Sequence, residues 1–259
     1  MLSLPRLVPS SPRTLNLLYV GYTVVLFLVF LVVTFPYDAL VRRALAGLQN
    51  GPVTISFAGA HFAWHRGIAL ADFQLHAQEA AVAAPVLEAE YLWVRPSLGQ
   101  LVRGNPYAFD VHAELYGGTA AGSADLGEGR LVGSLDLRAV SLGRYRPLAM
   151  MLEEGRLGGR VDARLAFDTT AAAPAAGQAS GQLRLSRAAL QEAKISGFGV
   201  PDIHIDEAAL DFGFQNGRVD VEALNAKGKE IVLSADGQVA LRDPVADSVL
   251  NLRATIMPG

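Results

Sequence analysis

Hydrophobic and polar residues change period twice along this chain. Residues 15–35 read LNLLYVGYTVVLFLVFLVVTF, an apolar run with no charged side chain. At ~1.5 Å per residue a helix of that length covers about 30 Å, the hydrocarbon thickness of a bilayer. Residues 36–50 then follow a helical stripe, with Leu40, Ala44 and Leu48 on one side and Arg42 and Arg43 elsewhere. Gly51-Pro52 ends that helix. Beyond it the period falls from about 3.6 to 2. Val53, Ile55 and Phe57 alternate with Thr54 and Ser56. Phe109, Val111, Ala113 and Leu115 alternate with Asp110, His112, Glu114 and Tyr116.

The same alternation returns at Leu131 to Leu137, Leu157 to Phe167, Leu183 and Leu185, Ile203 and Ile205, Leu210 to Phe214, Val219 and Val221, Ile231 and Leu233, Val239 and Leu241, and Leu250 to Ile256. It predicts about a dozen strands of four to eight residues, each with one apolar and one polar face, as in antiparallel sheet. Two short helices interrupt them: one at residues 97–104, stopped by Gly104, and one around residues 144–152. Residues 169–180 (TTAAAPAAGQAS) carry no pattern and read as a mobile loop of small residues. No strand alternates with a long helix, which disfavours a parallel α/β sheet. Short Gly-led starts recur at Gly133, Gly159, Gly181 and Gly217, with spacing too irregular for a solenoid.

The expected organisation is a cytoplasmic tail (1–14), a transmembrane helix (15–35), a juxtamembrane amphipathic helix (36–50) and a β-rich domain (51–259). A cleaved signal peptide fits less well, because its apolar core is usually about 7–15 residues long. The small-x-small tripeptide Ala44-Leu45-Ala46 lies well beyond the run. Arg6 and Arg13 precede the run and Arg42 and Arg43 follow it, a weak bias that leaves the amino terminus inside. The domain is then expected outside the cytoplasm.

Charge and composition narrow the function. Formal net charge is -3 and charged residues are 18% of the chain, with no basic stripe of the kind that binds nucleic acid. There is no cysteine, so neither a disulfide framework nor a thiol chemistry is available. Candidate chemistry is sparse. His61 and His65 are four apart with His76 nearby, but Phe62, Ala63 and Trp64 intervene and no zincin glutamate is present. His112 and His204 fall on polar strand phases. There is no Gly-x-Ser-x-Gly elbow, and Gly228-Lys229-Glu230 is not a phosphate loop. The run Gly117-Gly118-Thr119-Ala120-Ala121-Gly122 reads as a turn between antiparallel strands, and Asp168-Thr169-Thr170 lacks the glycine of an aspartic protease. No catalytic, cofactor-binding or metal residue is assigned, and no enzyme is expected.

The apolar sheet face is open to two readings, a closed sandwich core or a groove for lipid tails or a partner's apolar segment. A dozen strands at ~4.8 Å spacing make a ribbon about 55–60 Å long.

Several segments carry a resemblance. Thr34-Phe35-Pro36-Tyr37-Asp38-Ala39-Leu40-Val41-Arg42-Arg43, directly after the apolar run, resembles the start of the type II secretion system protein N (GspN-like) family. Arg95-Pro96-Ser97-Leu98 followed by Leu101 and Gly104, and residues 109–122 (FDVHAELYGGTAAG), are similar to later passages of that family. Asp243-Pro244 followed by Ser248-Val249-Leu250-Asn251-Leu252 resembles the closing strand of related AsmA-like domains, beside which the ending at Gly259 is abrupt. The resemblance implies a single-pass inner-membrane protein of a Gram-negative bacterium. Its periplasmic β-rich domain would be a curved antiparallel sheet, accessory to type II secretion, with other secretion components as partners. The AsmA-like relation implies, as the alternative, a periplasmic lipid-binding or lipid-transfer groove with phospholipid in it. It transfers no catalytic residue.

Overall fold

The computed structural model describes residues 12–46, 53–64, 66–77, 84–150, 152, 154–170, 173–195, 198–199, 201–229, 231–241 and 248–258. The apolar run forms helix α1 (Pro12–Thr34). Pro36 has no N–H to continue the ladder, and the chain restarts as α2 (Tyr37–Leu45), with Asp38 in its first turn and Arg42 and Arg43 in its last. No single described helix is long and apolar enough to cross a membrane by length and composition. The described candidate is a bent pair, Leu18–Val32 with Tyr37–Arg43, at 54° to each other. The expected 36–50 helix is seen over Tyr37–Leu45, and residues 47–50 lie outside the described residues.

The rest is mainly strand: β1 (Val53–Ser56), β2 (Gly59–Ala63), β3 (Gly67–Ala77), β4 (Leu87–Pro96), β5 (Ala108–Leu115), β6 (Gly118–Asp125), β7 (Arg130–Ser141), β8 (Glu154–Thr170), β9 (Ala173–Ile195), β10 (Phe198–Gly199), β11 (Ile203–Gln215), β12 (Arg218–Gly228), β13 (Ile231–Ala240) and β14 (Val249–Pro258). Two short helices, α3 (Leu98–Val102) and α4 (Arg146–Met150), fall where the pattern placed them. Gly104 takes the left-handed conformation just past α3 (φ 86°).

All the strands belong to one antiparallel sheet, ordered β1-β3-β4-β5-β6-β7-β8-β9-β11-β12-β13-β14, with β2 beside β3 and β10 beside β9. Its two edges do not meet, so the sheet is open. This removes the sandwich alternative, because a sandwich needs a second sheet to face the first. Apart from the short β2 and β10, neighbours in sequence are neighbours in space. Tyr116-Gly117 (φ 50° and 74°) and Asn216-Gly217 (φ 50° and 74°) have the two left-handed residues of tight hairpin turns.

The loop expected over residues 169–180 is corrected. β8 runs to Thr170 and β9 starts at Ala173, pairing Phe167 with Ala179 and Ala166 with Ser180. Small residues carry little period-2 signal, yet their backbone groups complete the ladder between long neighbours. Only residues 171 and 172 separate the strands, and they lie outside the described residues.

The sealed core sits near the first edge. Phe57, Leu70, Phe73, Ala89, Ala113, Leu115, Tyr116, Ala120 and Val140 cluster there, with Val41 and Leu45 of α2 packed against them.

Candidate functional site: the apolar face of the sheet

Residues opposite one another in an antiparallel pair project from the same face. Following the register across the sheet therefore shows what each face is made of. One row runs Ala60, Leu70, Leu92, Ala113, Ala120, Leu137, Ala163, Leu183, Leu210, Leu224, Ala235, Ala254. The next, two residues along each strand and three along β12, runs Phe62, Ile68, Val94, Val111, Gly122, Leu135, Leu165, Gly181, Phe212, Val221, Gly237, Leu252. A third runs Pro96, Phe109, Ala124, Gly133, Phe167, Ala179, Phe214, Val219, Val239, Leu250. No polar side chain interrupts these rows between the first edge and β14.

The glycines in the rows make room for rings. A Cβ on Gly133 would stand 2.6 Å from the Phe167 ring, and one on Gly181 would stand 2.7 Å from Phe212 and 2.6 Å from Leu165. Phe167 and Phe212 thus lie down over their glycine partners instead of standing off the sheet. Across the strands the face continues past irregular positions. Left-handed residues at Asp72, Ala139 and Arg187 let the apolar side step by three residues instead of two. Leu70 and Phe73 accordingly share the sealed cluster, and half-buried Leu137 packs against it on the same side as Val140. The bulge at Ala139 is pinned by its N–H donating to Asp162 Oδ1 at 2.8 Å.

Among the described residues the face is covered near the first edge. There α2 lies against it, and Tyr116 and Tyr145 meet edge-on at 5.4 Å. The Tyr116 hydroxyl accepts the Glu88 N–H at 2.7 Å. Burial pushes the Tyr116 phenol above its ordinary pKa, partly opposed by that hydrogen bond. From β8 onward the buried apolar residues among those described are alanines: Ala163, Ala193, Ala208 and Ala235. Their larger row neighbours are half-buried or exposed, and Leu250 and Ile256 on β14 are each 67% exposed.

The opposite face is polar. The row beside the second one reads Arg95, Asp110, Ser123, Ser134, Ala166, Ser180, Gly213, Asp220, Gln238, Asn251. Its ion pairs are solvated: Arg95–Asp110 and Arg164–Asp136 at 3.2 Å, Lys194–Glu154 at 2.7 Å, and Arg130 with Asp168. The hydrogen bond from Arg130 holds the Asp168 carboxyl below its usual range. A concavity of about 520 Å³ on this face is lined by Arg66, Trp93, Arg95, Asp110 and His112, among others. Arg95 engages Asp110 there and Arg66 lies 4.9 Å over the Trp93 ring.

The histidines considered from sequence are not brought together. His61 lies on β2 opposite Ala69, and His76 lies on β3 opposite Thr54 of β1. His65 lies outside the described residues. His112 sits beside Trp93, with ring centroids 5.6 Å apart, and His204 lies 3.3 Å from the Gln191 amide. Asp168 of the Asp-Thr-Thr run is a strand residue paired with Arg130. Gly117 belongs to the β5–β6 turn and Gly118 opens β6. Among the described residues no group of three acidic, histidine or cysteine side chains could hold a metal ion.

Sequence reasoning found the alternation but not the rows, because register is a property of pairs of strands. The usable signal was glycine in the apolar phase, at Gly122, Gly133, Gly181 and Gly237. It also missed the ring contacts at the foot of α1: Phe35 with Tyr37 at 5.0 Å, Tyr37 with Phe62 at 5.8 Å, and Phe62 with Trp64 at 6.3 Å.

No protein-family model, curated protein or solved structure matches this chain.

Proposed function

We propose that this chain is a membrane-anchored, non-enzymatic binding protein whose unroofed sheet face curves into a groove for the acyl chains of phospholipid. The observation that carries the reading is the set of uninterrupted apolar rows with no second layer over their far half among the described residues. At about 25 cal/mol per Å², apolar surface left in water on this scale favours an occupant. A lipid tail suits it because the rows are long, chemically uniform and free of the polar groups that orient a compact ligand. The anchor is α1, whose apolar side chains from Leu18 to Leu31 are exposed wherever they are described. The groove starts at the strand beside α2 and runs away from the anchor for about 50 Å at ~4.8 Å per strand.

Native mass spectrometry of the full chain, extracted in mild detergent, tests this. Phospholipid is expected to accompany the wild type and to be lost from Leu183→Asp combined with Phe212→Glu, with the circular dichroism of the sheet retained. A lipid-free wild type, or a double variant that keeps its lipid, overturns the reading.

A second reading, an accessory component of type II secretion, rests on the GspN-like residues 34–43 and 109–122. It places the β domain in the periplasm and the anchor in the inner membrane. Crosslinking in native membranes should then recover other secretion components. Recovery of none, together with normal secretion from a deletion strain, rejects it. Location is testable separately. The chain has no cysteine, so Ser134→Cys on the exposed polar face gives a single site for a membrane-impermeant thiol reagent.

A further inference from the structure

The first edge of the sheet carries an aromatic string that begins where α1 ends. Phe35 follows the helix directly and its ring lies 5.0 Å from Tyr37. Tyr37 stacks on Phe62 at 5.8 Å and 19°, and Phe62 meets Trp64 edge-on at 88°. These rings touch one another, yet they are not sealed. Trp64 is 76% exposed, and Phe62 and Phe35 are each 39% exposed. The other tryptophan, Trp93, is 8% exposed under Arg66. A string that served only to fasten this corner would place its largest ring inside.

Two further features point to what covers it. Phe62 is the first member of the apolar row that continues through Ile68 and Val94, so the string and the groove form one apolar surface. Exposed Arg42 and Arg43 lie on the adjoining α2, suited to anionic headgroups. Tryptophan and tyrosine have an apolar body with a polar tip, which favours the layer between headgroups and acyl chains.

We infer that the Phe35–Tyr37–Phe62–Trp64 string seats the first edge of the sheet in the headgroup layer of the bilayer that holds α1. This edge is then where an acyl chain passes from bilayer to groove. The inference rests on the anchored-groove reading and is tested so that the two can fail separately.

Trp93→Phe leaves Trp64 as the single tryptophan of the full chain. In phosphatidylcholine–phosphatidylglycerol vesicles its emission should shift to the blue and be quenched by lipids brominated near the headgroup more than by lipids brominated near the chain end. A second protein, with Trp64 and Trp93 both replaced by Phe and Phe27→Trp in α1, reports the anchor. Trp64→Phe with Trp93 retained supplies the background and does not disturb the sealed core. Quenching at position 27 without quenching of Trp64 overturns the inference and leaves the anchor standing. Quenching at neither position overturns both. A blue shift of Trp64 that depends on protein concentration in lipid-free detergent means a second copy covers the string, and also overturns it.

Discussion

Strands β1–β7 and strands β8–β14 carry the same alternation of apolar and polar residues, and their fates differ. In the first group α2, Tyr116 and Tyr145 cover the apolar face, and Phe57, Leu70, Phe73 and Leu115 are sealed. In the second group no described residue covers the same face, and the apolar residues sealed there among those described are alanines. The two halves share one hydrogen-bonded ladder, so backbone pairing is not what separates them. A period-2 pattern specifies a half-buried face; it does not specify what lies on that face. The near half has a corner sealed by its own chain, and the far half shows no such corner among the described residues.

Removing a large side chain from each half should widen this contrast. Phe73→Ala opens a cavity in the sealed cluster and should cost about 3–5 kcal/mol. Phe212→Ala, from an open row, should cost only about 1–2 kcal/mol, since less surface returns to water. Urea denaturation of each variant in the same detergent measures the pair. Equal losses would mean that the far half is as well packed as the near one.

Filling the far floor should come next in size. Gly181→Val puts methyl groups where the Phe212 ring and Leu165 now lie. Overpacking of this kind is expected to cost about 1–3 kcal/mol and to raise the ring off the sheet. Ring-current shifts in NMR spectra of the Phe212 neighbours would show it. If the ring stays down, the ring-over-glycine packing is not what keeps the floor flat.

Tyr116→Phe removes one hydrogen bond from the cover of the near half and should cost about 1 kcal/mol. The sign with pH is determined. The folded phenol has its pKa raised, so its contribution is present below the unfolded value and is lost as pH rises through the folded one. Wild type should therefore lose part of its margin over Tyr116→Phe in strongly alkaline buffer. A margin independent of pH there would assign the burial to another group.

The smallest effect belongs to the polar face. The Asp168 carboxyl is depressed by the hydrogen bond from Arg130, so its contribution is present above the unfolded carboxylate pKa of about 4 and fades as pH falls through the folded value. Both side chains reach solvent, and Asp168→Asn should barely move the midpoint at neutral pH and not at all in acid. A large change at pH 7 would show that this surface pair is part of a stronger network.

Much of this was legible beforehand. The alternation at residues 109–115, 131–137 and 157–167 appears as β5, β7 and β8, and Gly104 ends α3 as expected. The break at Pro36 is where helix gives way to helix. Residues 169–180 were misread because alanine, glycine and serine fit strand and loop alike, and only the partners at β8 decide. The step from Leu70 to Phe73, or from Leu137 to Val140, breaks a strict two-residue period and was invisible without the left-handed residues between them. The aromatic string was missed because Tyr37 of α2 meets Phe62 of β2 through tertiary packing, not through any local period.

The sequence by itself determined an apolar helix, a change of period after it, and strands with one apolar and one polar face, because those follow from spacing within a segment. Tertiary structure decided how the strands line up. Register turned separate alternations into continuous apolar rows, a single open sheet left most of them without a roof, and the corner at α2 closed one end. These depend on which residues of different strands stand opposite each other, a relation that no single segment carries.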